Sequence, residues 1–384
     1  MKRIIALTLL LVAAVVPVLA QARLDAVSPK DPRTMALGGA FVALADGYAA
    51  FYGNPAAFAG EDKELTIASF NPWAYVSPTT ENLALLQAAL SDGEYAIEAL
   101  NSLITTNGLG VGASAGLGWV GKGLGIGLVA TFDSYVYGRN ALGAMGPLDA
   151  QLEAVFGVGT HLSLFGLNFS VGGDIRPYLR MTGQVSSEQM VGILTGELDP
   201  AGAVMALPVD VGFGLAADLG ARLELGRLLS VGLAIRDIGT RQTLSSSTVG
   251  EVLDGLASGS LPSGGADSEY TFLPNITIGA ALRPLPEDLS RTIDLLILFE
   301  IQDPVRVIAD QQSFWQLLHL GVEAEFFGGT LALRAGVNEG YLSLGAGLDL
   351  FVAEASIAVF AEEMGLYPGQ RPRVGMSAEL AIRF

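Results

Sequence analysis

Residues able to do chemistry are sparse in this chain, and their placement narrows what they can do. There are two histidines, His161 and His319, and no cysteine. Thiolate chemistry and disulfides are therefore excluded. No cluster of His, Asp and Glu has metal-ligand spacing, so no metal site and no cofactor is expected. A serine–histidine–acid set converges in space, not in sequence, so it stays open, but no motif supports one and no catalytic residue is assigned. Gly116-Leu117-Gly118-Trp119-Val120-Gly121 matches a dinucleotide-binding spacing, but more strand follows it where a helix is required. Asn275-Ile276-Thr277 matches a glycosylation acceptor, an empty match inside a bacterial strand.

The charges that stand out are single ones inside apolar, alternating runs. Asp174, Arg176 and Arg180 fall at i, i+2 and i+6, on one face of one strand. Arg236 and Arg334 also alternate with apolar neighbours. Arginine on a lipid-facing position at mid-depth costs about 2–4 kcal/mol, so these side chains are expected inside a lumen. There they could bind an anionic headgroup through paired hydrogen bonds. They could equally brace the interior against Asp174, Asp210, Glu300 and Asp349, and membrane-depth charges favour the second use.

These charges need strands to position them. Hydrophobic residues make up 51% of the chain and charged residues 16%, with a mean hydropathy of +0.46. After the first twenty residues no apolar run is long enough for a helical span. Strands that show lipid one apolar face and hide small or polar residues behind it reconcile these facts. Fourteen candidate strands follow from the period-two pattern: 64–74, 109–119, 123–136, 151–163, 167–180, 208–219, 227–237, 271–284, 291–302, 316–326, 329–337, 340–350, 353–362 and 372–384. The last is the clearest. Val374, Met376, Ala378, Leu380, Ile382 and Phe384 share one face, and Gly375, Ser377, Glu379, Ala381 and Arg383 the other. Gly121–Gly123, Phe327–Gly329 and Asn338–Gly340 are expected as tight turns. Longer insertions fall at Glu81–Ile104 and Glu188–Met205, both with helical spacing, and at Arg241–Asp267, which reads as a mobile loop. Phe70, Trp73, Tyr75, Tyr135, Tyr137, Phe314, Trp315, Phe326 and Phe327 are expected in interfacial girdles.

The expected fold is thus all-β: a transmembrane antiparallel β-barrel of about fourteen strands over residues 63–384. Residues 1–20 read as a cleaved signal peptide, with Lys2 and Arg3 before an apolar stretch and small residues at its end, so the barrel is expected in a bacterial outer membrane. A terminal aromatic, Phe384, is what an outer-membrane barrel assembly machinery is expected to engage. Outer-membrane lipid is the other expected partner. The formal net charge of -18 argues against nucleic acid.

Residues 21–62 do not alternate. They carry Ala36-Leu37-Gly38-Gly39-Ala40-Phe41-Val42-Ala43-Leu44-Ala45-Asp46-Gly47 and then Phe51-Tyr52-Gly53-Asn54-Pro55-Ala56-Ala57-Phe58. These two stretches resemble the start of the long-chain fatty-acid transporter superfamily of outer membranes. Its relatives, the type IX secretion barrel subunit and uncharacterised spirochaete barrels, open similarly, and Gly212–Gly239 is closer to that branch. The resemblance implies an N-terminal hatch inside the barrel, with Gly38, Gly39, Asn54, Pro55 and Ala56 as hatch or gate residues. It implies uptake of hydrophobic or amphipathic small molecules such as fatty acids. A structural or secretion-associated barrel that docks partner proteins is the alternative. The residues agree independently: Pro55 fixes its own backbone and turns Asn54 away from helix, and an irregular apolar segment survives at membrane depth only when protein shields it.

Overall fold

A computed structural model of the chain describes residues 24–384, apart from residues 25, 45, 92–95, 141–142, 165, 187–188, 190–198, 240, 261–264 and 291. The signal peptide assigned to residues 1–20 lies outside the described residues. So does the helical piece assigned around Met190, Ile193 and Leu194.

Sixteen strands form one antiparallel sheet: β1 (Lys63–Tyr75), β2 (Leu109–Gly121), β3 (Leu124–Val136), β4 (Gly146–Leu164), β5 (Leu167–Val185), β6 (Pro208–Leu225), β7 (Leu229–Arg236), β8 (Arg241–Thr248), β9 (Asp267–Thr271), β10 (Asn275–Leu282), β11 (Ile293–Gln302), β12 (Leu318–Phe326), β13 (Leu331–Asn338), β14 (Tyr341–Leu350), β15 (Ala353–Glu363) and β16 (Pro372–Arg383). β1 pairs with β16, and β5 with β6. Those pairings close a ring of fourteen strands and leave β8 and β9 as a hairpin above it. Closure removes sheet edges from the hydrocarbon, where an unpaired backbone group costs several kcal/mol. All fourteen expected strands correspond to strands of the ring.

Alternation assigns the two faces. On β14, Leu342, Leu344, Leu348 and Leu350 are exposed on the outside, while Ser343 and Gly347 are buried. On β16, Arg373, Gly375, Ser377, Glu379 and Ala381 are buried and Leu380 and Ile382 are exposed. The outside is therefore an apolar band made of side chains that a soluble protein would cover, which is the surface an outer-membrane barrel offers to lipid. No described helix is long and apolar enough to cross a membrane, which bears on helices alone.

Two expectations need correction, and one expected turn has an unexpected place. Arg241–Asp267 is not a loop throughout. It forms β8, then a helix at Val249–Ser258 started by a Thr248/Glu251 capping box, then β9. Its serines misled because Ser and Thr side chains supply caps and cross-strand hydrogen bonds as well as turns. The tight turn at Glu339–Gly340 lies at the end of the barrel opposite the Gly121–Gly123 and Phe327–Gly329 turns, among the long connections. Finally, Trp73, Tyr75 and Tyr135 face inward and are buried, outside any girdle. A bulge between Thr66 and Ser69 changes the inward parity of β1 from even to odd positions, which turns Trp73 and Tyr75 into the lumen. Phe70, Phe314, Trp315 and Phe327 are exposed; Tyr137 and Phe326 are half-buried. Of the Glu81–Ile104 insertion, helices occupy Thr80–Ser91 and Ala96–Thr106, with Ala99, Leu103 and Ile104 buried and Leu83 exposed.

Candidate functional site

The described residues between 24 and 62 touch strands on every side of the ring, which places them in the lumen. They hold a five-residue helix, Pro32–Ala36, and two 3-10 turns, Tyr48–Phe51 and Pro55–Ala59. Asp31 caps the first and Asn54 the last, each followed by a proline whose missing N–H is no loss at that position. Ala36, Leu37, Ala40, Phe51 and Phe58 are wholly buried.

The seat for this segment is made of inward glycines. A methyl group on Gly336 would meet Gly38 N at 2.3 Å, and one on Gly232 would meet Val42 O at 2.3 Å. Gly172 and Gly220 receive Pro55 O and the Asn54 side chain, while Gly118 and Gly127 receive the Phe51 ring and Gly125 and Gly157 the Phe58 ring. Strand glycine here buys close approach of a second backbone.

Polar side chains of the wall then hold the backbone of this segment, the expected hatch. Glu300 accepts the amides of Phe41 and Val42, both at 2.7 Å, and Gln302 donates to Gly39 O. His319 Nδ1 lies 2.8 Å from Gly38 O, so it carries the proton of that bond. Ser343 donates to Ala36 O and Ser230 to Ala43 O. Asn54 donates to Val42 O at 2.7 Å and receives Ala56 N–H at 3.0 Å. Gly38 and Gly39 sit at φ of +69° and +86°, a region an L side chain avoids, which lets the chain double back after Ala36.

Two of the arginines, Arg176 and Arg236, gather into one buried cluster on β4–β7. Arg176 donates to Asp218 at 2.7 and 3.1 Å, to Glu153 at 2.7 Å and to Asp237 at 2.7 Å. Arg236 donates to Asp218 at 3.1 Å and to Phe51 O of the hatch at 3.2 Å. Asp174, directly opposite Asp218 across the strands, is 3.8 Å from Arg176. Arg180 is separate, paired with Asp149 at 2.8 Å and stacked over Phe272. Arg334 pairs with Glu323, which also holds Arg33 of the hatch. The expected carboxylate partners were therefore largely wrong. Asp210 instead accepts from Ser246 and Tyr270, Glu300 serves the hatch, and Asp349 has no cation within 4 Å among the described residues. Glu153, Asp218, Asp237 and Glu323 take those places. The signal for them was a lone acid in an alternating strand or turn, which is present at each.

The cluster lies where the wall is interrupted. β6 pairs with β7 over Leu219–Leu225 and with β8 over Pro208–Val211. Between these stretches the chain has residues 212–218 on one side and 236–244 on the other, seven against nine, and no ladder joins the described residues among them. Asp237 and Gly239, at φ of +57° and +66°, make the kink. Among the described residues scattered bonds cross, such as Ile238 N to Ala217 O and the Gln242 side chain to Gly212 O, each 3.0 Å. Outside, the gap is bordered by exposed Phe213, Leu215, Leu219 and Ile238.

At the short-turn end, below the hatch, a cavity of about 970 Å³ opens outward. His161 lines it, with Nδ1 3.1 Å from Ser170 Oγ; Ser170 is 2% exposed, and no carboxylate bonds the ring among the described residues. That pair lacks both the access and the orienting group a nucleophile needs. Among the described residues no group of His, Asp and Glu is placed to hold a metal ion. Outside the strands, Glu339 accepts the Glu363 amide at 2.7 Å; burial, with Glu362 nearby, raises its carboxyl to about 7.

No known family description matches the chain, and no curated protein matches it. Among solved structures it is similar to a deletion mutant of the TodX monoaromatic hydrocarbon channel, at 13% identity and a TM-score of 0.48 over 92% of this chain and 98% of that one. It is similar to the CymD monoaromatic hydrocarbon channel at 11% identity and a TM-score of 0.48, over 92% and 96% of the two chains. A Pseudomonas aeruginosa FadL homologue follows at 12% identity and 0.44, over 94% and 98%.

Proposed function

We propose that this chain is an outer-membrane channel for uptake of hydrophobic or amphipathic small molecules, fatty acids among them. In this reading residues 1–20 are removed on export, and the barrel moves its cargo without changing it. The hatch stays seated, and cargo passes sideways through the interrupted wall between β6 and the β7–β8 kink.

One observation carries the reading: the only long unladdered stretch described in the ring lies beside the hatch, has an apolar rim facing lipid, and is fastened by side chains. Laddered wall cannot open without exposing several backbone groups to hydrocarbon, whereas this stretch has few to lose. The hatch, by contrast, is held by glycine-seated backbone contacts around the ring, so expelling it would break far more. Arg236 bridges the two, from Asp218 in the wall to Phe51 O in the hatch.

The test is uptake of a labelled fatty acid and of an uncharged hydrophobic dye into proteoliposomes. The chain has no native cysteine, so Ala217→Cys with Ile238→Cys places one disulfide across the gap. Uptake by the unmodified barrel should stop in the oxidised pair and return with reductant. Intact, folded barrel that passes neither compound faster than empty vesicles would end the proposal.

A further inference from the structure

The inner face of the interrupted wall, which cargo must cross on the reading above, carries buried polar atoms without partners. Tyr178 of β5 points inward and lies across Gly214, where an added methyl would meet the Tyr178 ring at 2.3 Å and its hydroxyl at 2.4 Å. Gly214 belongs to the unladdered stretch 212–218. The Tyr178 ring meets Phe272 edge to face, with centroids 6.3 Å apart and planes at 82°. Phe272 arrives from the far side of the gap, in the connection from β9 to β10. Tyr178 is 4% exposed, and its hydroxyl has no hydrogen-bond partner among the described residues. Gln242, also buried, donates its amide N–H to Gly212 O across the gap, while its Oε1 has no partner among the described residues. Gly212 and Gly214 are two residues apart on one inward face, roughly 7 Å. A buried polar group left unbonded destabilises, so for packing alone phenylalanine would serve better than Tyr178.

The surroundings decide what these atoms can take. Tyr178, Ala216 and Phe272 form a buried apolar lining, and Leu24 packs against it. An alkyl side chain thus already sits where the tail of a cargo molecule would. The Leu24 amide reaches Thr271 O over 3.4 Å, a long bond, so Leu24 can give way while the glycine-seated hatch stays. The guanidinium groups nearby are committed: Arg176 to Glu153, Asp218 and Asp237, Arg236 to Asp218, and Arg180 to Asp149. An anionic head would have to displace one of these acids. Asp174, whose carboxylate has no hydrogen bond among the described residues, lies four residues further toward the short-turn end of β5, roughly 13 Å away. An uncharged hydroxyl asks for less, since it can accept from the Tyr178 hydroxyl and donate to Gln242 Oε1.

We infer that Tyr178 selects cargo at the gap by its head, so that uncharged hydroxyl-bearing amphiphiles, alcohols and phenols, bind in preference to bare hydrocarbons and to ionised carboxylates of equal size. The inference rests on the uptake reading and narrows its cargo.

The probes are para-butylphenol, butylbenzene and para-butylbenzoate at about pH 7, where the phenol is neutral and the benzoate ionised. Each is titrated calorimetrically into the detergent-solubilised full chain, and the phenol should bind tightest. Tyr178→Phe keeps the ring and should lower the phenol-to-butylbenzene affinity ratio roughly fivefold, the effect of one ordinary hydrogen bond. Without probe, the variant should unfold in urea no earlier than the parent, because the hydroxyl it lacks bonds nothing in the free chain. An unchanged ratio, benzoate binding as tight as phenol binding, no saturable phenol binding, or an earlier unfolding midpoint each overturns the inference. Dye uptake by parent proteoliposomes is measured beside the titrations. Dye entry together with any of those four results leaves the uptake reading standing. If the dye does not enter, the uptake reading falls, and the affinity ratio still decides the Tyr178 site alone.

Discussion

Replacing Arg176 with methionine tests whether the charge cluster is what fastens the interrupted wall. The arginine makes four hydrogen bonds to three carboxylates and its side chain is 5% exposed. Methionine fills much of the volume but leaves Glu153, Asp174, Asp218 and Asp237 facing one another with Arg236 as the remaining cation of the cluster. Breaking a buried ion pair by removing one partner costs about 3–5 kcal/mol, because the charge left behind is uncompensated. Proton uptake by the acids limits this, so the lower figure is the better expectation. A loss of ~3 kcal/mol is a factor of about a hundred in a closed-to-open ratio, if the cluster is broken only in the open state. The assay has two arms: urea unfolding in detergent followed by tryptophan fluorescence, and dye uptake by proteoliposomes. Adding Asp218→Asn should recover a good part of the loss, since it removes one of the stranded charges. An unfolding free energy within about 0.5 kcal/mol of the parent, the size expected for a surface change, together with unchanged uptake, would refute the latch.

Three further outcomes follow from the geometry. Val42 Cγ1 lies 2.7 Å from where a Gly279 Cβ would be, so Val42→Cys with Gly279→Cys should form a disulfide that staples hatch to wall. Uptake should persist in the oxidised form, and its loss would show that the hatch moves. Gly336→Ala drives a methyl into the Gly38–Leu37 backbone and should cost about 1–3 kcal/mol, against ~1 kcal/mol for Gly226→Ala, where only a φ of +65° resists; unfolding midpoints check the difference. Glu339 is held near 7, above its ordinary value, so its contribution to stability is complete below about pH 4.5 and is lost as pH rises through 7. The drop in melting temperature from pH 5 to pH 8 should therefore shrink in Glu339→Gln.

How much of this was legible in the sequence varies by element. The ring strands were, because lipid on one side and a packed lumen on the other impose a period of two that no turn obscures. The inward sense of Arg176, Arg236 and Arg334 was legible for the same reason: a charge cannot face hydrocarbon cheaply. The partners of these arginines were not. Arg176 meets Asp218 and Asp237 from a different strand and from a kink, and that convergence depends on register and on a two-residue excess opposite β6 that composition does not encode. Trp73 and Tyr75 were misplaced by one bulge, since a single inserted residue inverts every later side chain of a strand. β8 was missed because its serines bond side chain to side chain.

The sequence by itself determined the class of structure, through apolar alternation and the scarcity of any other way to satisfy backbone groups in lipid. It also determined which segment could not be wall, since Asn54-Pro55-Ala56 and Gly38-Gly39 break the alternation. Tertiary structure alone decided where that segment sits, which strand glycines receive it, where the ladder fails, and that acids outnumber bases around the cavity beneath it. Those are properties of closure: a ring of strands brings residues hundreds of positions apart to one point, and only the register of the closed ring says which ones meet.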